Sequence, residues 1–285
     1  MPKISIVTDT DSSMPESLAL KHGILRVPIS VNFGEEQSET DLTLSNKALF
    51  ERIDKEGRLP TTAAPTPGNF ADTFRKAFEK DGSKELICFC ISSAMSATFE
   101  AAQMAARDIL PDRKITVVDT KTLSVAQMYM AIAAAEAAAR DASCEEILDI
   151  AENTRTRSFI YGALATLKYL SMSGRVSHVA AGMAGMLNIK PILSVQNGKL
   201  DMLEKVRTKR KAWERVIELT RAASEKSHIE KMSVLHVAAA DDAQEFETLL
   251  RAEVNCPEDI LTVDINPGLS VHTGAGLVGV GFLIF

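Results

Sequence analysis

The chain has 285 residues, 46% hydrophobic and 25% charged, with a net charge of -6. That length suits one large domain or two ordinary ones, the composition is that of a soluble globular protein, and the acidic balance argues against a general nucleic-acid binder. No apolar run approaches the ~18 residues of a membrane span, and Pro2, Lys3 and Asp9 break up the N-terminus, so neither stable membrane insertion nor a signal peptide is expected and the compartment reads as cytoplasmic.

Residues 4–7 read as a first short strand, followed by the polar run Thr8, Asp9, Thr10, Asp11, Ser12 and Ser13. Pro15 opens a helix to about His22, closed by Gly23. Residues 25–33 read as a second strand, and residues 45–56 as a helix ended by Gly57. Thr61 and Thr62 then lead toward another helix start. There Thr66 caps, Pro67 fits the first turn, and Phe70, Phe74, Ala77 and Phe78 form an apolar stripe. Alone, the two threonines fit an ordinary loop.

The stretch from Glu85 to Leu110 organises the rest. Residues 86–91 are an unbroken apolar run of the length and bulk of a strand buried on both faces. Ser92, Ser93, Ser96 and Thr98 follow, then a helix with Phe99, Ala102, Ala106 and Ile109 on one face. A hydroxyl-rich turn therefore sits at the carboxyl end of a buried strand, where open α/β sheets bind ligands. It also sits at the positive end of a helix, which favours an anion. With no Lys or Arg in the turn, a carboxylate suits it better than a multiply charged phosphate. Serines before a helix also serve as plain caps; the second hydroxyl-rich stretch, at Thr61 and Thr62, is what favours binding.

Residues 115–118 are a following strand with Asp119, Thr120 and Lys121 at its carboxyl end. Residues 125–141 are an Ala-rich helix, and Ser143 with Glu146 fits a capping box for a helix to about Thr156. Strands alternating with helices imply a mostly parallel sheet. Near Arg157 the pattern changes. Residues 159–165 read as a strand, 166–170 as a helical turn, 173–176 as a polar break and 179–187 as a small-residue helix. Two strands flank an Asn197-Gly198 turn, a strong hairpin signal. A basic amphipathic helix over 208–227, a strand over 233–238, a helix over 242–254 and a strand over 260–265 follow. Residues 268–285 read as one or two strands with a glycine bend. The fold class is therefore α/β in two domains. Residues 1–157 form a Rossmann-like parallel sheet carrying the hydroxyl-rich turns, and residues 158–285 form a mixed sheet with helices.

Gly274, Gly276 and Gly279 match GxGxxG, but only six residues follow, too few for the helix such a fingerprint must open. These glycines more simply bend a strand or admit a ligand closely. There is no Walker loop and no GxSxG elbow. Cys88 and Cys90 point the same way from one strand as core thiols, and with no CxxC pair neither a zinc site nor a disulfide framework is expected. His272, beside a hydroxyl and glycines, has a charge adjustable near neutral pH and is a candidate to support a ligand carboxylate. Ser93, His272 and Asp9 form a hydrolase triad only through long-range folding. Arg175 follows a glycine in the polar break, and Arg207 lies among Lys205, Lys209, Arg210 and Lys211. These cations are either a solvated face or a dock for an acidic or phosphate-bearing partner.

With those residues in hand, the chain resembles the DegV family of fatty-acid-binding proteins nearly end to end. The resemblance runs through Val7-Thr8-Asp9, Pro60-Thr61-Thr62 with Pro65, Ile91-Ser92-Ser93 with Ser96-Ala97-Thr98, and Val118-Asp119-Thr120-Lys121. It continues through Thr166-Leu167, Tyr169-Leu170, Ser173-Gly174-Arg175, residues 187–191, Lys205-Val206-Arg207-Thr208 and residues 272–276. Each piece is short; their order along the whole chain is specific. The family's TSQP is here Thr62-Ala63-Ala64-Pro65, its SGT is Ser96-Ala97-Thr98 and its GPG is Gly274-Ala275-Gly276, while the threonine, serine and histidine positions remain.

The resemblance implies two α/β domains with one acyl chain between them. It implies a carboxylate held by the threonine loop (Thr61, Thr62) and the serine turn (Ser93, Ser96), with His272 nearby. It implies a long-chain fatty acid as ligand, with no cofactor, metal or catalytic residue. The implied partner is a separate ATP-dependent fatty acid kinase, which makes an acyl phosphate for phospholipid synthesis; Arg175 and Arg207 fall close to the kinase-facing side. The alternative is an enzyme in its own right, a kinase-like subunit for a small hydroxyketone or a Ser-His hydrolase.

Overall fold

The computed structural model describes residues 4–34, 38–175, 189–225 and 227–285; the small-residue helix expected over 179–187 lies outside them. The chain opens with β1 (Ile4–Asp9), and α1 (Glu16–His22) stops at Gly23 with φ 68°. The single strand expected over 25–33 is two, β2 (Leu25–Val27) and β3 (Ser30–Asn32), in different sheets. Pro28 stands at the break and has no N–H to give a ladder. After β4 (Ser38–Thr40), α2 (Asn46–Glu56) is capped by Ser45, whose hydroxyl accepts from Ala48 N, and ends at Gly57. Thr61 and Thr62 are not loop but β5 (Thr61–Ala63), in the small sheet β4-β3-β5. Then α3 (Pro67–Asp81) opens on a reciprocal capping box between Thr66 and Asn69.

β6 (Glu85–Cys90) leads through the serine turn into α4 (Thr98–Met104), which passes into a π turn at Ala105–Ile109. The wider turn shifts the facing register. Ala102 and Ala105 are therefore the buried pair and Ile109 is 39% exposed, which corrects the expected stripe. β7 (Lys114–Asp119), α5 (Ser124–Ala139) and α6 (Cys144–Thr156) follow, the last opened by the expected Ser143–Glu146 box. Next come β8 (Ser158–Ala163) and α7 (Lys168–Met172). The hairpin β9 (Lys190–Gln196) and β10 (Lys199–Val206) turns at Asn197 and Gly198, both with positive φ as a two-residue I′ turn requires. The remainder is α8 (Lys209–Ser224), β11 (Ile229–His236), α9 (Ala240–Glu253), β12 (Ile260–Asp264), α10 (Pro267–Thr273) and β13 (Val278–Ile284). The start of the expected terminal strand is thus helix α10, because Pro267 at its first position presets the helical φ.

The fold is α/β. By contact the chain divides into two compact units, Met1–Ser30 with Ala63–Thr156 and Asn197–Lys199, and Val31–Thr62 with Arg157–Gln196 and Leu200–Phe285. Residues 31–62, which the sequence division placed in the first domain, thus group with the second unit. The first unit is built on a parallel sheet ordered β2-β1-β6-β7. On it α3 packs Phe70, Phe74 and Phe78 against Val7, Val27, Leu86 and Cys88. The second is built on the sheet β10-β9-β8-β13-β11-β12. There β13 runs antiparallel to β8 and β11, while β12 runs parallel to β11. Trp213 of α8 and Phe246 of α9 bury against Val234, Val280 and Phe282.

Candidate functional site

In the first unit β1 and β6 are neighbours whose connections lead to opposite sides of the sheet, so their carboxyl ends form a switch point. Asp9 ends β1 there and is fully buried. Its Oδ2 accepts from Ile91 N at 2.8 Å, and its Oδ1 accepts from Asp11 N at 3.0 Å and Gln127 Nε2 at 3.0 Å. The carboxylate pins the start of the serine turn to the end of the neighbouring strand.

The four hydroxyls of that turn differ in what they have left to offer. Ser92 is buried and donates to Gly198 O at 2.6 Å. Ser93 donates its hydroxyl to Asp119 Oδ2 at 2.6 Å, and its N–H goes to Asp119 Oδ1 at 3.2 Å. Ser96 and Thr98 share one hydrogen bond of 2.8 Å. Two hydroxyls carry two hydrogens, so this pair keeps one to give, and half-buried Ser96 is placed to give it while Thr98 is fully buried. The position before α4 is Ala97, with no side-chain cap, and among the described residues the one bond from the turn's serine side chains to a backbone N–H at the start of the helix is the long one that Ser96 Oγ accepts from Thr98 N at 3.4 Å.

In the second unit Thr62 of β5 meets His272 in the last turn of α10, Oγ1 to Nε2 at 2.9 Å. Nδ1 of His272 is buried with no partner among the described residues. Burial, and then the nearby Arg175, push the imidazole down to about 4. The neutral-range titration expected of His272 is therefore corrected: the ring is a neutral hydrogen-bonding group at physiological pH. Thr61 beside it is exposed.

Arg175 is exposed and donates to Ser173 O at 2.7 Å; Arg207, just past β10, is exposed. The surrounding basic cluster is partly neutralised, with Lys209 paired to Asp242 at 2.9 Å and Arg210 to Glu214 at 2.9 Å. The three triad candidates are each engaged elsewhere, Ser93 with Asp119, His272 with Thr62 and Asp9 with backbone amides and Gln127. Two of the glycines allow close approach of protein. A Cβ on Gly274 would lie 2.2 Å from the Tyr169 ring, and one on Gly279 would lie 2.4 Å from Tyr161 O.

Sequence reasoning gave no role to Asp119 toward Ser93, to Gln127, or to Asn46 and Asp264. One signal was available. Asp9 and Asp119 each end an apolar strand run, where a carboxylate is positioned to gather the N–H groups of the next turn.

Residues 3–284 match the model of the DegV family. A DegV domain-containing protein of Streptomyces coelicolor is 33% identical over 278 residues, with 97% of each chain covered. A DegV family protein from Thermus thermophilus, described by its fatty acid binding, has a TM-score of 0.91 at 27% identity over 100% of both chains. DegV from Bacillus subtilis, described as a fatty acid binding protein, has a TM-score of 0.87 at 26% identity, again over 100% of both.

Proposed function

The chain belongs to the DegV family, and from that premise we propose that it binds a long-chain fatty acid and presents the carboxylate to a partner ATP-dependent fatty acid kinase. It is a lipid-binding subunit of such a system, with no catalytic residue of its own. The proposed carboxylate contacts are Thr62 beside His272, with Thr61 next to it, and the hydroxyl of Ser96, while Ser93, whose hydroxyl hydrogen goes to Asp119, holds the serine turn in place for them.

The Thr62–His272 pair carries this reading. A threonine hydroxyl and a neutral imidazole hold two polar hydrogens, and their mutual bond uses one. In one tautomer Nδ1–H is left to donate; in the other the Thr62 hydroxyl is. Either way the pair offers a donor, and an ionised carboxyl only accepts.

A hydrogen bond to a charged group contributes roughly 1.5–3 kcal/mol, so Thr62→Val and Ser96→Ala should each weaken fatty-acid binding about tenfold to a hundredfold in titrations. Unchanged affinity in both would put the site elsewhere. Phosphoryl transfer from ATP to the carboxylate, with ADP leaving, develops negative charge that cations stabilise, and Arg175 and Arg207 are the exposed cations proposed to face the kinase. In a parallel arm, Arg175→Ala and Arg207→Ala should keep binding but lose ATP-dependent turnover of the bound acid. Full turnover by both would remove the docking role.

A further inference from the structure

The segments that carry Thr62 and His272 are also joined at a second place, at the starts of α2 and α10. Asn46, at the first position of α2, is 4% exposed. Its Nδ2 donates to Asp264 Oδ1 at 2.7 Å and to Ile265 O at 2.6 Å. Both contacts are acceptors, so the amide's orientation is set. Its Oδ1 is buried with no partner among the described residues, a costly arrangement for a buried amide. Asp264 also receives Ala238 N at 3.1 Å and faces His236 Nδ1 at 3.3 Å. Burial alone would raise its pKa, but these bonds together hold the carboxyl below its ordinary range.

Two residues on, Asn266 occupies the N-cap of α10, yet it makes no cap with its side chain. Its Nδ2 goes instead to Asp41 Oδ2 at 2.6 Å. Both bonds run between residues 31–62, which include Thr62, and the β12–α10 junction, which leads into the helix whose last turn carries His272. At the other end of α10, Gly274 has φ 80° and the Tyr169 ring fills the space a side chain would need. The helix is thus held at both ends, and the clasp joins its start to the start of α2, the helix that leads to β5.

We propose that Asn46, through Asp264 and Ile265, is a positioning residue that holds Thr62 in register with His272. It thereby sets how strongly the site prefers a carboxyl head over a neutral one on the same acyl chain. This rests on the fatty-acid reading above. The bond between Thr62 and His272 is made inside the protein, so register is lost without ligand as well as with it.

The test compares wild type, Asn46→Leu and Asp264→Asn. Each is titrated with a long-chain fatty acid and with the fatty alcohol of equal length, and the His272 ring nitrogens are followed by ¹⁵N NMR in ligand-free protein. Asn46→Leu should lose roughly tenfold of the acid-over-alcohol preference, the worth of about one hydrogen bond. Its alcohol affinity should hold, and its His272 nitrogen resonances should shift. Asp264→Asn keeps an acceptor oxygen for Asn46 and should stay near wild type in both. A wild-type preference and unshifted His272 resonances in Asn46→Leu overturn the clasp, as does equal loss of acid and alcohol, which marks a general defect. If wild type binds neither lipid, the fatty-acid reading falls, and unshifted His272 resonances in Asn46→Leu then remove the clasp too.

Discussion

His272 couples burial to charge. A folded-state value of about 4 against an ordinary 6.5 means that between those pH values the unfolded chain takes up a proton the folded one refuses. The neutral ring's contribution is complete above pH 6.5 and drains as pH falls toward 4. At about 1.4 kcal/mol per unit it is worth up to about 3 kcal/mol. Urea unfolding of wild type and His272→Gln should show wild type losing that much more stability from pH 7 to pH 4; parallel pH curves would mean a solvated ring. The sequence displayed the histidine with its hydroxyl and glycine neighbours but not its burial. Burial comes from β5, α7 and α10, which meet only in the folded second unit. Ser93 and Ser96 looked equivalent as letters. Asp119, a whole strand later, takes Ser93's hydrogen and leaves Ser96's neighbour pair with one to give.

At the scale of elements, β13 lies in the middle of its sheet with Gly279 opposite Gly162 of β8. A methyl group at Gly279 would meet the Tyr161 carbonyl at 2.4 Å, and a paired backbone cannot step aside. Gly279→Ala should cost about 3 kcal/mol or more. Gly23→Ala, with open space around it and only a positive φ to resist it, should cost about 1 kcal/mol. Equal denaturation midpoints for the two variants would contradict the packing of β13. Elements with local punctuation were legible beforehand: α3 and α6 by their caps, α1 and α2 by Gly23 and Gly57, and the β9–β10 hairpin by Asn197-Gly198. Three-residue strands such as β3, β4 and β5 have no periodicity to read. The π turn after α4 moved Ile109 out of the core without a sequence mark, and α10, seven residues long, is too short to show a helical period.

Across the whole molecule, order along the sequence outweighed any single motif. Short pieces from Val7 to Gly276 pointed to the DegV family, to which the chain belongs, and local signals alone left a hydrolase and a small-molecule kinase open. The grouping of residues 31–62 with the second unit was not legible, since they join it through side chains such as Asn46 and Asp41 that reach across more than 200 positions of sequence. No helix among the described residues is long and apolar enough to cross a membrane. A bound long-chain fatty acid is detected most directly by mass spectrometry of an organic extract of the purified protein, repeated after incubation with added fatty acid and removal of the excess. A long-chain fatty acid should appear in near-stoichiometric amount in one or both extracts. Lipid-free protein that also takes up none of the added acid would contradict fatty-acid binding.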